Sequence, residues 1–158
     1  MESKALAEKY LKKAFELHLL GDINEAMINY KISINFYPTT EAHTYLGWAH
    51  SMNGDLEKAI SECETAIEID SEFGNPYNNI GSYLVKLGRE EEAVEWFEKA
   101  IEAPRFDPKH LAYYNLGKIF RRQGEWQKAI EMFKEAYSIN PQFKAAKSEL
   151  YKLMAYMN

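Results

Sequence analysis

The sequence predicts an all-α domain, a solenoid of antiparallel helix pairs with about nine helices, in which one unit is written four times. Three observations carry this. Glycines recur at Gly21, Gly54, Gly88 and Gly124, at intervals of 33, 34 and 36 residues. Each is followed five residues later by an alanine (Ala26, Ala59, Ala93, Ala129) and preceded seven residues earlier by a small residue (Ala14, Gly47, Gly81, Gly117). Four residues beyond the alanines stand Tyr30, Cys63, Phe97 and Phe133, then after three more Ser33, Ala66, Ala100 and Ala136. Several positions that recur together at one period mark a repeat architecture, whose units bury their apolar faces against their neighbours.

The elements follow in order, within one domain spanning residues 1–158. Units cover about 7–38, 40–73, 74–108 and 110–141, and a closing helix covers 141–157. Helices are expected near 3–20, 23–36, 40–53, 56–70, 76–87, 90–103, 108–123, 126–139 and 141–157. The recurring glycine can take positive φ and so ends the first helix of each unit. The small residue before it and the alanine after it allow the two helices to cross closely. Asp22 with Glu25 reads as a capping box. Asn75-Pro76, Asp107-Pro108 and Asn140-Pro141 each put a capping residue ahead of a proline at the first helical position. The third unit is two residues longer, through EAPRFDP at Glu102–Pro108. That segment reads as a tolerated loop insertion, with a contact loop using Arg105 and Phe106 as the alternative. In the last helix, Phe143, Ala146, Leu150, Leu153 and Met157 form a stripe suited to covering the solenoid's open end. Tyr151, Met154 and Ala155 widen that stripe, which makes homo-oligomerisation through this helix the alternative role for the chain.

With 158 residues, 46% apolar and 27% charged, the chain has the composition of one ordinary soluble domain. No run approaches the roughly 18 apolar residues that span a bilayer, so membrane insertion is not expected. The start, MESKALAEKY, lacks the apolar centre of an export signal, and the expected compartment is the cytoplasm. A lone Cys63 allows no internal disulfide. The net charge of −5 disfavours generic binding to nucleic acid or anionic lipid.

No enzyme chemistry is legible. The histidines are His18, His43, His50 and His110; His43 and His50 can share a helix face, but no third ligand has the spacing a metal needs. Cys63 stands at a packing position of the repeat, without the base and exposure a nucleophile requires. There is no nucleophile elbow and no glycine-rich phosphate loop. The expectation is a non-enzyme with no metal and no cofactor.

Tyr10, Tyr77 and Tyr113 lead three of the units, with His43 in the remaining one, and the pairs Leu46-Gly47, Ile80-Gly81 and Leu116-Gly117 follow. Together with the glycine–alanine register, these resemble the tetratricopeptide repeat, a helix–turn–helix unit of about 34 residues, from Ala7 to Pro141. The resemblance implies a right-handed superhelix whose first helices line a concave groove, and a protein–protein adaptor or scaffold that binds a peptide segment there. Carried over by register, the groove has three zones. Leu11, Phe15, Tyr45 and Trp48 make an apolar start. Asn75, Asn78 and Asn79, with Ser82, make an amide-rich middle. Tyr114, Asn115, Lys118, Arg121 and Arg122 make a basic end, with Lys86 nearby. Asn79 and Asn115 occupy equivalent positions, resembling the asparagine ladder of the O-GlcNAc transferase superhelix, and an amide can pair with a peptide backbone. The basic end suits a partner with an acidic segment or a C-terminal carboxylate. The carboxylate clamp of chaperone-binding members is not reproduced: Leu11 and Phe15 stand where Lys and Asn are wanted, and Leu111 and Asn115 where cations are wanted. The stretch from Asn75 to Pro108 also looks like bacterial members that include type IV pilus lipoproteins, whose export signal and lipobox cysteine have no counterpart here.

Overall fold

The computed structural model describes residues 1–158 and contains nine α-helices: α1 (Glu2–Leu19), α2 (Ile23–Phe36), α3 (Thr40–Met52), α4 (Leu56–Ile69), α5 (Asn75–Lys86), α6 (Glu90–Glu102), α7 (Lys109–Arg122), α8 (Trp126–Ile139) and α9 (Lys144–Met157). Successive helices pair as four hairpins, and each hairpin's second helix packs on the next hairpin's first, ending with α8 against α9. The fold is the all-α tetratricopeptide-type solenoid that the period predicts.

The turns show why the glycines recur. Gly21, Gly54, Gly88 and Gly124 all have φ between +77 and +87. At the first, the Gly21 N–H donates to the His18 carbonyl at 3.1 Å and the Asp22 N–H to the Leu17 carbonyl at 2.9 Å. The other three turns repeat both bonds, so the orphan carbonyls of each first helix are satisfied by a Schellman motif. The second glycine set answers to packing instead. A Cβ on Gly117 would lie 2.6 Å from the Phe133 ring, and one on Gly81 2.7 Å from that of Phe97. At the equivalent site of the first unit Ala14 is tolerated and fully buried.

One interhelical bond recurs with its donor exchanged. Ser33 Oγ donates to the Ala7 carbonyl at 2.7 Å, and one unit later Thr40 Oγ1 donates to the Ala66 carbonyl at 3.0 Å. Residues 7 and 40 are equivalent, as are 33 and 66, so the same gap is bridged from opposite helices. Cys63 is fully buried, and burial pushes its thiol far above the ordinary range.

Several expected caps are corrected. Asp22 precedes α2 but its carboxylate accepts no capping bond, because the backbone there is already set by the Schellman turn. Asn75 is the first residue of α5 rather than its cap. α7 begins at Lys109 and α9 at Lys144, later than Pro108 and Pro141. Asn140 instead closes a local turn, its Oδ1 accepting from the Gln142 N–H at 3.1 Å. The side-chain cap that does form is at Thr39, whose Oγ1 accepts from the Ala42 N–H at 3.2 Å.

The lengthened exit of the third unit is a structural clip, and Phe106, which the contact-loop alternative needs at the surface, is buried. Arg105 pairs with Phe73 in a one-residue parallel bridge, accepting from the Gly74 N–H at 2.9 Å and donating to the Glu72 carbonyl at 3.1 Å. Its guanidinium binds Asp70, and this pairing holds the Asp70 carboxyl below the usual range. Phe106 is buried over Gly74, where any Cβ would collide with it at 2.4 Å.

Candidate functional site

Helices α1, α3, α5 and α7 carry the residues expected to line the groove. In the first two, an aromatic chain runs from one helix to the next. The rings of Phe15 and Tyr45 lie 5.3 Å apart, those of Tyr45 and Tyr30 6.2 Å, and Trp48 stacks on His18 at 3.8 Å. His18, on α1 between Phe15 and the turn, is buried in the core. Its Nδ1 lies 3.0 Å from the Tyr30 hydroxyl and its Nε2 3.0 Å from Met52 Sδ. Burial lowers its pKa and raises that of Tyr45, whose nearby Glu41 adds to the rise. Phe15, Tyr45 and Trp48 are half-buried, and Tyr45 packs against the first core cluster. Leu11 packs against the cluster of Ala14, Ala26, Tyr30, Leu46 and Ala49.

In the middle zone Asn75 and Asn79 are half-buried, while Asn78, expected at the surface, is only 8% exposed with its Oδ1 unpartnered. At the basic end, Tyr114 lies between Phe133 at 5.8 Å and Phe143 of the closing segment at 5.0 Å. Lys118 Nζ sits 4.8 Å over the Tyr114 ring. Burial, then Arg122 and Arg121, hold its pKa below the ordinary lysine value. Arg121 is bound to Glu149 of α9, and Arg122 Nε lies 2.6 Å from Glu90 Oε1. Asn115 and Lys118 share a cavity with Ser82 and Lys86.

The structure thus brings Phe15 to Tyr45 and Trp48 to His18, sets Asn115 beside Lys118, and commits both arginines to the protein's own carboxylates. Those carboxylates were missed in the sequence, although the repeat held the signal for one. Arg122 lies two residues before Gly124 and Glu90 two after Gly88, so stacked turns set them side by side. No group of three or more His, Cys, Asp or Glu side chains is arranged to hold a metal ion. His43 spends its Nδ1 on Glu62 Oε2 at 2.7 Å, and His50 is buried with Nδ1 unpartnered. No helix is long and apolar enough to cross a membrane.

This helix–turn–helix stack with an open inner face defines a class of protein-interaction module. The chain belongs to the tetratricopeptide repeat family, whose sequence models match residues 40–73 and 72–142. Among curated relatives, anaphase-promoting complex subunit 3 of Schizosaccharomyces pombe is 25% identical over 128 residues, which are 80% of this chain and 19% of that one. The small glutamine-rich tetratricopeptide repeat-containing protein 2 of Saccharomyces cerevisiae is 32% identical over 102 residues, 57% of this chain and 28% of that one. The chain therefore spans well under a third of these relatives' lengths. Among solved structures, PilF of Pseudomonas aeruginosa superposes with a TM-score of 0.92 at 19% identity, over 99% of this chain and 71% of that one. YrrB, a tetratricopeptide repeat protein with an unusual peptide-binding site, gives 0.69 at 19% identity over 94% and 76%. These structural likenesses establish the fold.

Proposed function

We propose that this protein is a non-enzymatic adaptor that holds an extended segment of another protein in the groove lined by α1, α3, α5 and α7. The observation that carries the reading is the row of half-buried aromatic and amide side chains, Phe15, Tyr45, Trp48, Asn79 and Asn115, on consecutive first helices. Half-open aromatic rings offer apolar area at little entropic cost, and amides on the same wall can pair with a peptide backbone. The segment carries acidic side chains or a free C-terminus toward Lys86 and Lys118, and the expected compartment is the cytoplasm. YrrB, with its peptide-binding site on a similar stack, supports peptide binding by this architecture, and the likeness to PilW, a type IV pilus biogenesis factor, keeps an assembly role as the outlying variant.

The test is selection of 12-residue peptides from a random library on the wild-type protein, followed by titration against a Trp48→Ala/Asn79→Ala/Lys118→Ala variant with unchanged circular dichroism. Affinity at least tenfold weaker is expected, the loss of one hot-spot contact being enough for that. Equal affinity would remove the groove as the site. A second reading, self-association through α9, is favoured by Tyr151 and Tyr156, which are 57% and 77% exposed. A monomeric mass by light scattering at millimolar concentration would exclude it.

A further inference from the structure

Between α5 and α7 lies a cavity of about 230 Å³, bounded by Ser82 and Lys86 on one side and Asn115, Lys118 and Arg122 on the other, over the edge of Phe97. Around it α5 and α7 approach each other less closely than α3 and α5 do. No carboxylate lines it. Arg122 is neutralised by Glu90, but none of the protein's ion pairs involves Lys86 or Lys118. Lys118 is half-buried and its nearest compensation is the face of Tyr114, which attracts the cation without cancelling its charge. Desolvation and two neighbouring guanidiniums both disfavour that charge, and its pKa is lowered accordingly. A protein of net charge −5 has thus left two lysines without an ion-pair partner at this cavity, Lys118 half-buried with Glu149 as its supporting charge and Lys86 exposed at the rim.

We propose that this cavity is the seat for one carboxylate side chain of the segment lying in the groove, gripped by Lys118 and Lys86 with the Asn115 amide donating beside them. The proposal rests on the groove reading and locates its charge recognition in the lysines instead of the arginines. A carboxylate fits better than a phosphate for a stated reason. Lys86 ends α5, and Lys118 and Arg122 lie in the last turns of α7, where the helix dipoles present their negative ends. That placement favours the lysines and opposes a dianion, which is better served by helix N-termini and free arginine forks. Inside a recess the same ion pair is screened less than on an open surface.

The experiment is an amide-resolved NMR titration with three probes: a glutamate hexapeptide, a glutamine hexapeptide of the same length, and inorganic phosphate. The glutamate peptide is expected to shift Ser82, the Asn115 side-chain amide and Lys118 saturably, and the glutamine peptide to leave them in place. Lys118→Gln and, separately, Lys86→Gln should each weaken the glutamate peptide about tenfold, the worth of one charge-assisted bond. No saturable shift, equal shifts from both peptides, or undiminished binding by both variants would overturn the proposal. Phosphate binding as tightly as the glutamate peptide would also overturn it, leaving a small-anion site. Peptides selected on the wild type separate this failure from that of the groove. If they weaken with Trp48→Ala but not with Lys118→Gln, the groove stands and the cavity does not.

Discussion

The first and second halves of the inner wall are written in one register and spend their side chains differently. On α1 and α3 the inward residues are rings tied into the core, with His18 drawn fully inside between Tyr30, Trp48 and Met52. On α7 the proposed groove residues after Tyr114 and Asn115 are cations, and both arginines are tied to carboxylates of neighbouring elements. In one half the side chains proposed for recognition also support the fold. In the other the two roles are separated, because an exposed ion pair adds little to folding whereas a half-buried ring adds much.

The largest effect expected from this difference is at Trp48. Replacement by alanine removes the half-buried ring stacked on the buried His18. A loss of about 2–3 kcal/mol is expected, somewhat below the range for fully buried tryptophan, measured by urea unfolding. A loss under about 0.5 kcal/mol would mean that the aromatic start of the groove is free of the core, and the contrast between the halves would fall.

A pair of exchanges at the helix crossings sharpens the same contrast. Gly117→Ala pushes a methyl to within 2.6 Å of the Phe133 ring and should cost about 1–3 kcal/mol by overpacking. Ala14→Gly, at the equivalent crossing in the first half, should cost about 1 kcal/mol through helix propensity and lost packing. Equal and small effects would show that the repeats do not differ in interhelical distance.

The fold was legible because it is redundant: four glycines, four alanines and four small residues repeat one set of steric demands, and each copy confirms the others. The caps at Asp22 and Asn140 were misread because a capping signature is local, while the backbone at those positions is set by the preceding helix's terminal turn. The clip made by Phe106 and Arg105 was not legible for the opposite reason. Their partners Gly74 and Asp70 lie more than 30 residues upstream, in another connection, and nothing in a seven-residue stretch shows that two loops meet. At the candidate site, register named residues helix by helix but did not show their pairings. Arg121 faces Glu149 only because α9 packs in the position of a fifth first helix. Asn78 and Asn79 differ by one residue and hence by about 100° around α5, enough to separate buried from half-open.

Acid should distinguish the halves as well. His18 and His50 both lie in the first half, and burial lowers both below the ordinary 6.5. At His50, Glu62 and Asp55 oppose the shift while Lys31 and Lys58 add to it, and desolvation exceeds them. A histidine whose folded pKa is depressed binds protons more readily in the unfolded chain. Its contribution is therefore fully present above about pH 6.5 and is lost as pH falls from there toward the folded pKa. The midpoint of thermal unfolding should drop between pH 7.5 and 5.5. In a His18→Gln/His50→Gln variant the slope over that interval should flatten even if the absolute midpoint is lower. An unchanged slope would place the acid sensitivity elsewhere.

The smallest effect is expected at the pair that joins the groove to the closing helix. Arg121→Gln removes a bond to Glu149 from a side chain that is 34% exposed, so solvent screens much of what it contributes. A cost of about 0.5 kcal/mol or less is expected in chemical unfolding. Glu149 is the less exposed partner at 16%, and it also supports the charge on Lys118. Glu149→Gln should thus be nearly as mild for stability but should lower the Lys118 pKa further, read from the pH titration of its side-chain NMR resonances. If Arg121→Gln instead costs more than 2 kcal/mol, the closing helix is anchored by charge and not by Ala146, Leu150 and Leu153, and the basic half carries the fold as much as the aromatic half does.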